Sequence, residues 1–169
     1  MREGWTHDPL SGSGLAVARL PSMGGSQLKL EPTLCHGLIE AIAVSLRSQA
    51  DRRGVKLVVA RNLEDIVART DRRVLSTIVI GLINEAIESS SGGVVHVSVL
   101  RCTTEGKNAV EISIAGLAAD QQGAAARPQE RDSFGLSQAQ VLAATLGGKI
   151  SIHCRAGEGN TYVLLIPEF

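Results

Sequence analysis

Residues 71–93 carry hydrophobic and polar side chains in the pattern of one amphipathic helix. Asp71 stands at the start of this stretch, and a run of serine and glycine ends it. Because apolar residues three and four positions apart share one face of a helix, the pattern predicts a helix packed on a sheet. Gly81, Glu85 and Glu88 align on the neighbouring face, which we expect to border a cleft. The apolar positions are Val74, Leu75, Ile78, Leu82, Ile83 and Ala86.

The chain before this helix has its own signals. Residues 28–30 predict a short edge strand. Thr33 is then the predicted cap of a helix that runs to about residue 53 and ends at Gly54. Residues 55–60 predict a buried strand and residues 62–70 a loop. The inward positions expected for this helix are Leu34, Leu38, Ile42 and Leu46.

The chain after residue 93 reads mostly as strands. Residues 94–101 and 109–114 alternate between apolar and polar side chains, which predicts an antiparallel pair with one covered face. Residues 117–133 have no sustained period and predict a long surface loop. The remaining elements are a helix at residues 134–146 and the two strands of a hairpin at residues 149–155 and 160–167.

This order of elements predicts an α/β (α+β) fold. The simplest arrangement is a two-layer sandwich, with three helices packed on one face of a mixed, mostly antiparallel sheet. Residues 27–169 are expected to form that domain. Residues 1–26 are rich in glycine, serine and proline and predict a flexible tail or linker remnant.

Composition narrows the classes of partner. The 169 residues include 17 basic and 17 acidic side chains, and only 2% are aromatic, so a nucleic-acid partner is disfavoured. No apolar run approaches the ~20 residues of a membrane span, and a soluble, cytoplasmic chain is expected. Cys35, Cys102 and Cys154 are odd in number and widely separated, which favours buried free thiols over a metal site.

Three stretches together resemble a known family. Residues 134–167 read FGLSQAQVLAATLGGKISIHCRAGEGNTYVLLIP, residues 74–99 read VLSTIVIGLINEAIESSSGGVVHVSV, and residues 28–59 read LKLEPTLCHGLIEAIAVSLRSQADRRGVKLVV. They are similar to the glycine box, the N-box and the opening segment of the ATP-binding catalytic domain of bacterial sensor histidine kinases. Residues 14–32 also resemble the linker that follows the second dimerisation helix in that family. The resemblance implies the GHKL or Bergerat fold (HATPase_c-like).

The N-box positions depart from the family pattern. By resemblance, Gly81 and Glu85 occupy the places of two magnesium ligands, and only Glu85 offers an oxygen. Glu88 occupies the place of a lysine or arginine that reaches phosphate. Two like charges ~4 Å apart repel by roughly 4 kcal/mol at an effective dielectric constant of about 20, so Glu88 opposes a polyphosphate. Asn84 lies about 100° round the helix from the ligand position.

The other boxes depart as well. Gly116 falls where the family has the aspartate that reads adenine, and Gly135 is the surviving glycine of the G-x-G-L box. Thr161 matches an adenine-side threonine or serine. Together these changes predict degenerate boxes and no bound cofactor. ATP and Mg²⁺ are expected only if the domain is an active kinase domain, with Glu85 as the metal ligand.

Three functions remain open at this point. The favoured one is a regulatory or interaction module in a two-component or phosphorelay pathway, which binds a response regulator, a kinase or a second copy of itself. The alternative is an active catalytic domain of a divergent sensor histidine kinase, and a serine kinase of the anti-sigma type is a weaker idea. His7 precedes Asp8 as in a phosphoacceptor motif, but Pro9 breaks any helix there, so a tail histidine is favoured. Arg127 and Arg131 are expected to be solvated loop charges.

Overall fold

The computed structural model describes residues 27–62, 64–90, 92–118, 134–155 and 159–168. These residues form three helices and seven strands. Their bounds are β1 (Glu31–Leu34), α1 (Cys35–Arg52), β2 (Lys56–Val59), β3 (Val67–Thr70), α2 (Arg72–Ser89), β4 (Val94–Thr104), β5 (Lys107–Leu117), α3 (Phe134–Thr145), β6 (Lys149–Arg155) and β7 (Gly159–Pro167).

The main sheet has five strands in the order β2-β4-β5-β7-β6. Strand β2 runs parallel to β4, and the other neighbours are antiparallel. Strands β1 and β3 form a separate antiparallel pair. The helices cover one face of the main sheet, so the predicted two-layer sandwich with a mixed, mostly antiparallel sheet is confirmed.

The core lies between the helices and alternate side chains of the sheet. Because successive strand residues point to opposite faces, one face of β4, β5 and β7 is buried and the other is more open. The predicted antiparallel pair with one covered face is therefore confirmed. The buried sheet residues are Val95, Val97, Val99, Val110, Ile112, Ile114, Tyr162, Leu164 and Ile166, and the apolar residues of α2 that meet them are Leu75, Ile78, Leu82, Ile83 and Ala86.

Helix α2 begins at its predicted cap. The Oδ1 atom of Asp71 accepts hydrogen bonds from the backbone N–H groups of Arg73 at 3.0 Å and Val74 at 3.3 Å. Its Oδ2 atom accepts a third bond, at 2.9 Å, from the backbone N–H of Lys29. Asp71 therefore fixes the start of α2 and joins it to the segment that leads into β1.

The start of the domain differs from the prediction. The edge strand predicted at residues 28–30 is wrong, because β1 lies at Glu31–Leu34. Pro32 is tolerated there since a two-stranded sheet leaves one side of each strand unpaired. Thr33 is a strand residue whose hydroxyl donates to its neighbour Glu31, and Leu34 is the actual N-cap of α1. Leu34 is also 44% exposed rather than inward, because it lies on the outer face of β1.

Three other predictions need correction. The loop predicted at residues 62–70 contains β3, which pairs with β1. The predicted buried strand is shorter, at Lys56–Val59, and only half-buried because β2 is at the edge of the sheet. Leu117 still belongs to β5, and residues 119–133 of the predicted loop lie outside the described residues.

The cysteines are free, but they are not all buried. Cys35 is buried in the core, whereas Cys102 is half-buried and Cys154 is exposed. The difference follows from position, because Cys102 is near the tip of the β4–β5 hairpin and Cys154 is on the edge strand β6. Within the described ranges, no group of three potential metal ligands comes together. No helix in those ranges is long and apolar enough to cross a membrane.

Candidate functional site

Of the family-equivalent positions, Glu85 lies in the second half of α2, and Gly116 and Thr161 lie at the adjacent ends of β5 and β7. Ala115 of β5 pairs with Thr161 of β7, so the next residues of both strands meet at one end of the sheet. We term this place the Gly116 corner, formed by Ala86, Ser90, Gly116, Gly159 and Asn160.

Gly116 is enclosed on the side where a side chain would begin. A Cβ atom at this position would overlap the Oγ atom of Ser90 and would lie 3.4 Å from the carbonyl oxygen of Ala86. It would also lie 3.5 Å from the carbonyl oxygen of Asn160. Ser90 itself is only 3% exposed. The serine hydroxyl therefore occupies the space that a larger residue in place of Gly116 would need.

Gly159 brings the start of β7 against this glycine. Its φ of +89° lies in the left-handed region, which side chains on L-residues disfavour. A Cβ atom at Gly159 would overlap the carbonyl oxygen of Gly116. Backbone thus packs directly on backbone between β5 and β7, and both positions require glycine for that contact.

Tyr162 lies beneath the corner on the helix-facing side of the sheet and is 3% exposed. Its hydroxyl shares hydrogen bonds with the side chains of Asn160 and Ser89. Burial raises the pKa of Tyr162, those two hydrogen bonds lower it in part, and the negative charge of Glu85 raises it further. The net effect is an upward shift of the pKa, so the phenol stays protonated and bridges α2 to β7.

The wall of α2 beside the corner is acidic. Glu85 is half-buried near Tyr162, whereas Glu88 is exposed at the last turn. The carboxylate of Glu88 stands 4.0 Å from the guanidinium of Arg53, and both side chains are 56% exposed. Such an exposed pair is weak. Arg53 therefore offsets the charge of Glu88 only in part.

Asn84 points away from this wall. Its Oδ1 atom accepts a hydrogen bond of 3.1 Å from the Nε2 atom of Gln49 on α1. The amide is therefore engaged between α1 and α2.

The predicted site positions come together only in part. Gly81 faces α3, where an added Cβ atom would lie 3.8 Å from the carbonyl oxygen of Gly135. Thr161 precedes Tyr162 in β7, so its side chain points to the opposite face of the sheet.

Sequence reasoning missed the polar residues in the Gly116 corner and next to it. Ser89 and Ser90 were part of a serine and glycine run that signalled only the end of a helix, and Asn160 and Tyr162 read as ordinary strand residues. The two-residue spacing of Asn160 and Tyr162 could have indicated that both side chains lie on one face of the strand, because residues two apart in a strand share a face.

Comparison with known proteins shows which sequences and folds this chain resembles. No protein-family profile matches the chain. It is 34% identical over 163 residues to an uncharacterized sensor-like histidine kinase of Rhizobium meliloti, a match that covers 86% of this chain and 30% of that protein. The chain therefore spans less than a third of the length of this relative.

Solved histidine-kinase structures share the fold. Full-length ShkA in complex with AMPPNP superposes with a TM-score of 0.66 at 20% identity, over 86% of this chain and 32% of that one. The nucleotide-free catalytic domain of the histidine kinase ThkA gives 0.63 at 19% identity, over 85% of this chain and 97% of that one. The cytoplasmic segment of the histidine kinase QseC gives 0.64 at 17% identity, over 92% and 88% of the two chains. The chain therefore has the Bergerat fold of the ATP-binding catalytic domains of histidine kinases.

Proposed function

We propose that this domain is a degenerate histidine-kinase-like ATPase domain of a two-component or phosphorelay signalling protein. In this proposal it binds neither ATP nor Mg²⁺ and acts as a regulatory or protein-interaction module, with a kinase or a response regulator as its partner. The observation that carries the proposal is the filled Gly116 corner. By resemblance to the family, the group that recognises a nucleotide stands at residue 116. In this chain the hydroxyl of Ser90 occupies the space beside Gly116.

The adenine side of the site lacks its polar reader. By resemblance to the family, residue 116 should carry a carboxylate that accepts a hydrogen bond from the adenine amino group. Gly116 has no side chain, and Ser90 occupies the adjoining space. Leaving a buried polar group without its partner costs about 1 to 3 kcal/mol, so adenine would lose much of its specific binding energy.

The phosphate side does not fit a magnesium nucleotide either. Mg²⁺ requires near-octahedral oxygen coordination and usually takes one or two carboxylates together with phosphate oxygens and water. Gly81 supplies no ligand, and the backbone at Gly135 lies against it. Glu85 alone offers a carboxylate, while Glu88 adds a negative charge that Arg53 offsets only weakly.

The alternative is an active ATP- and Mg²⁺-binding catalytic domain of a divergent sensor histidine kinase. One observation favours it: Glu85 is half-buried on the correct face of α2 to meet a cation. ShkA, which has the same fold, is seen in complex with AMPPNP. The two functions differ in whether nucleotide stabilises the domain.

Thermal unfolding with millimolar ATP and Mg²⁺ separates these functions. We expect the midpoint of the parent chain and of Glu85→Ala to be unchanged by nucleotide. A ligand present at 100 times its Kd stabilises a protein by about 2.7 kcal/mol, which would raise the midpoint by several degrees. Glu111→Ala, at another half-buried glutamate on β5, is the matched control. A nucleotide-dependent shift that is lost in Glu85→Ala and kept in Glu111→Ala would establish the alternative.

A further inference from the structure

The small sheet of β1 and β3 has an exposed apolar face. Leu34 pairs with Val67 across the two strands, and the two residues are 44% and 43% exposed. Residues two apart in a strand share a face, so Pro32 and its partner Arg69 lie on the same side. Clusters of exposed apolar side chains mark interaction sites, whereas singly exposed ones do not. We term this area the β1–β3 surface, whose exposed apolar residues are Leu28, Leu30, Pro32, Leu34 and Val67.

A cavity of about 260 Å³ adjoins this surface at β1. Pro32 and Leu34 line the cavity as well as the surface, and Gly37 and Leu38 of α1 extend its apolar wall. Arg72, the first residue of α2, lines the same cavity. There is room for an apolar side chain, since a cavity of ~150 Å³ already holds benzene. The cavity therefore offers an apolar anchor site beside a cation.

The charges at this end of the surface leave two arginines unpaired. Glu31, which also lines the cavity, has its Oε2 atom 3.6 Å from Nζ of Lys29. Asp71 is buried and accepts the hydrogen bonds that start α2. Arg69 and Arg72 are exposed and make no ion pair within 4.0 Å in the ranges that the structure describes. The acids here are engaged, so the free charge beside the apolar residues is positive.

We propose that the β1–β3 surface and its cavity bind an acidic amphipathic segment of a partner protein. One apolar side chain of that segment fills the cavity, others cover the exposed leucines, and its carboxylates meet Arg69 and Arg72. Such charge complementarity selects the partner and fixes its orientation. Asp65, an exposed acid, precedes β3 at the end of the surface away from Arg72. The carboxylates of the partner therefore lie near the start of β1.

The β1–β3 surface would give the proposed interaction module its binding site, so this inference rests on the proposed function. The two can still fail separately, because Arg72 begins α2 whereas the Gly116 corner lies beside the end of that helix. Peptide binding is measured without nucleotide. Its failure would leave the expected absence of nucleotide binding untouched, and bound nucleotide would not decide whether a peptide binds.

Fluorescence anisotropy with two synthetic peptides tests the charge preference. One is an amphipathic helix of about 15 residues with leucine on one face and glutamate on the other, and the second has lysine in place of each glutamate. At low salt, the full chain is expected to bind the glutamate peptide at least ~10-fold more tightly than the lysine peptide. Equal affinities, or a preference for lysine, overturn the proposal. Binding of neither peptide, as expected if residues 1–26 or a second copy cover the surface, overturns it as well.

A charge reversal locates the arginine contact. Arg72→Glu should raise the Kd of the glutamate peptide at least ~10-fold, because it places a negative charge at the cavity. The variant should fold, since an acidic side chain suits the first turn of a helix. Arg52→Glu is the matched control, at an exposed arginine without an ion pair in the described ranges, at the far end of α1. Equal Kd values for the two variants would show that the peptide binds elsewhere.

A second variant tests the apolar contact. Leu34→Ser should raise the Kd of the glutamate peptide roughly fivefold, because it removes an apolar side chain from both the surface and the cavity. Leu34 is the N-cap of α1, and serine is a favoured residue at that position, so the fold should be kept. Leu100→Ser is the control, at a leucine of β4 that is 55% exposed. If Leu34→Ser binds as tightly as this control, the proposal is wrong.

Discussion

Replacement of Gly159 by alanine is expected to lower the free energy of unfolding by at least about 3 kcal/mol. Two effects add at this position. The φ of +89° disfavours any L-residue, and the new methyl group would overlap the carbonyl oxygen of Gly116. Since that oxygen belongs to backbone, relief requires the end of β5 or β7 to move. Urea unfolding followed by circular dichroism measures the loss.

Gly106→Ala separates the two effects. Gly106 has a φ of +75° in the β4–β5 turn, but a Cβ atom there would meet nothing within 4 Å. This control should lose only the conformational part, about 1 to 2 kcal/mol. An equal loss in both variants would show that β5 and β7 do not pack backbone on backbone at the Gly116 corner.

Asp71→Ala is expected to destabilise the domain by about 2 to 4 kcal/mol. Loss of an N-cap side chain costs about 0.5 to 2 kcal/mol, and loss of a hydrogen bond to a charged group about 1.5 to 3 kcal/mol. Asp71 makes both kinds of contact, with the start of α2 and with the backbone of Lys29. Asp65→Ala, at an exposed aspartate in the preceding segment, is the control and should change little. Chemical denaturation at neutral pH gives both values.

The contribution of Asp71 should also depend on pH. Burial raises the pKa of Asp71, but backbone hydrogen bonds from Lys29, Val74 and Arg73 and the charge of Arg73 outweigh it, so the pKa is lowered overall. A carboxyl group with a lowered pKa stabilises the folded state fully above its unfolded pKa of about 3.9 and loses that contribution as pH falls through the folded value. The stability difference between the parent and Asp71→Asn should therefore shrink below about pH 4. A difference that stays constant down to pH 2 would contradict this role.

The elements that the sequence predicted well are those set by local patterns. The signals for the start, the apolar face and the end of helix α2 all lie within one stretch of sequence, from Asp71 to Ser90. Strand β1 was misplaced and β3 was missed, because these four-residue strands are stabilised by pairing with each other. Glu31–Leu34 and Val67–Thr70 pair across more than thirty intervening residues, and no local pattern indicates that pairing. Thr33 also looked like a helix cap only because its strand was not anticipated.

The candidate site was predictable as a set of substitutions, but not as a geometry. Resemblance to the family located Gly81, Glu85, Gly116, Gly135 and Thr161 and indicated that several carry unsuitable groups. The sequence did not indicate which side chains occupy the space around Gly116. Ser90 fills the position beside Gly116, and the hydroxyl of Tyr162 joins Ser89 to Asn160, because β7 and α2 meet there through the tertiary fold.

Isothermal titration calorimetry with ATP in the presence of Mg²⁺ tests the central proposal most directly. If the proposal is right, a domain in which Ser90 occupies the space beside Gly116 and Glu85 and Glu88 lie on α2 gives only the heat of dilution up to millimolar nucleotide. A saturable binding heat with one site per chain and a micromolar Kd would contradict the proposal and identify the domain as a nucleotide-binding component of a kinase.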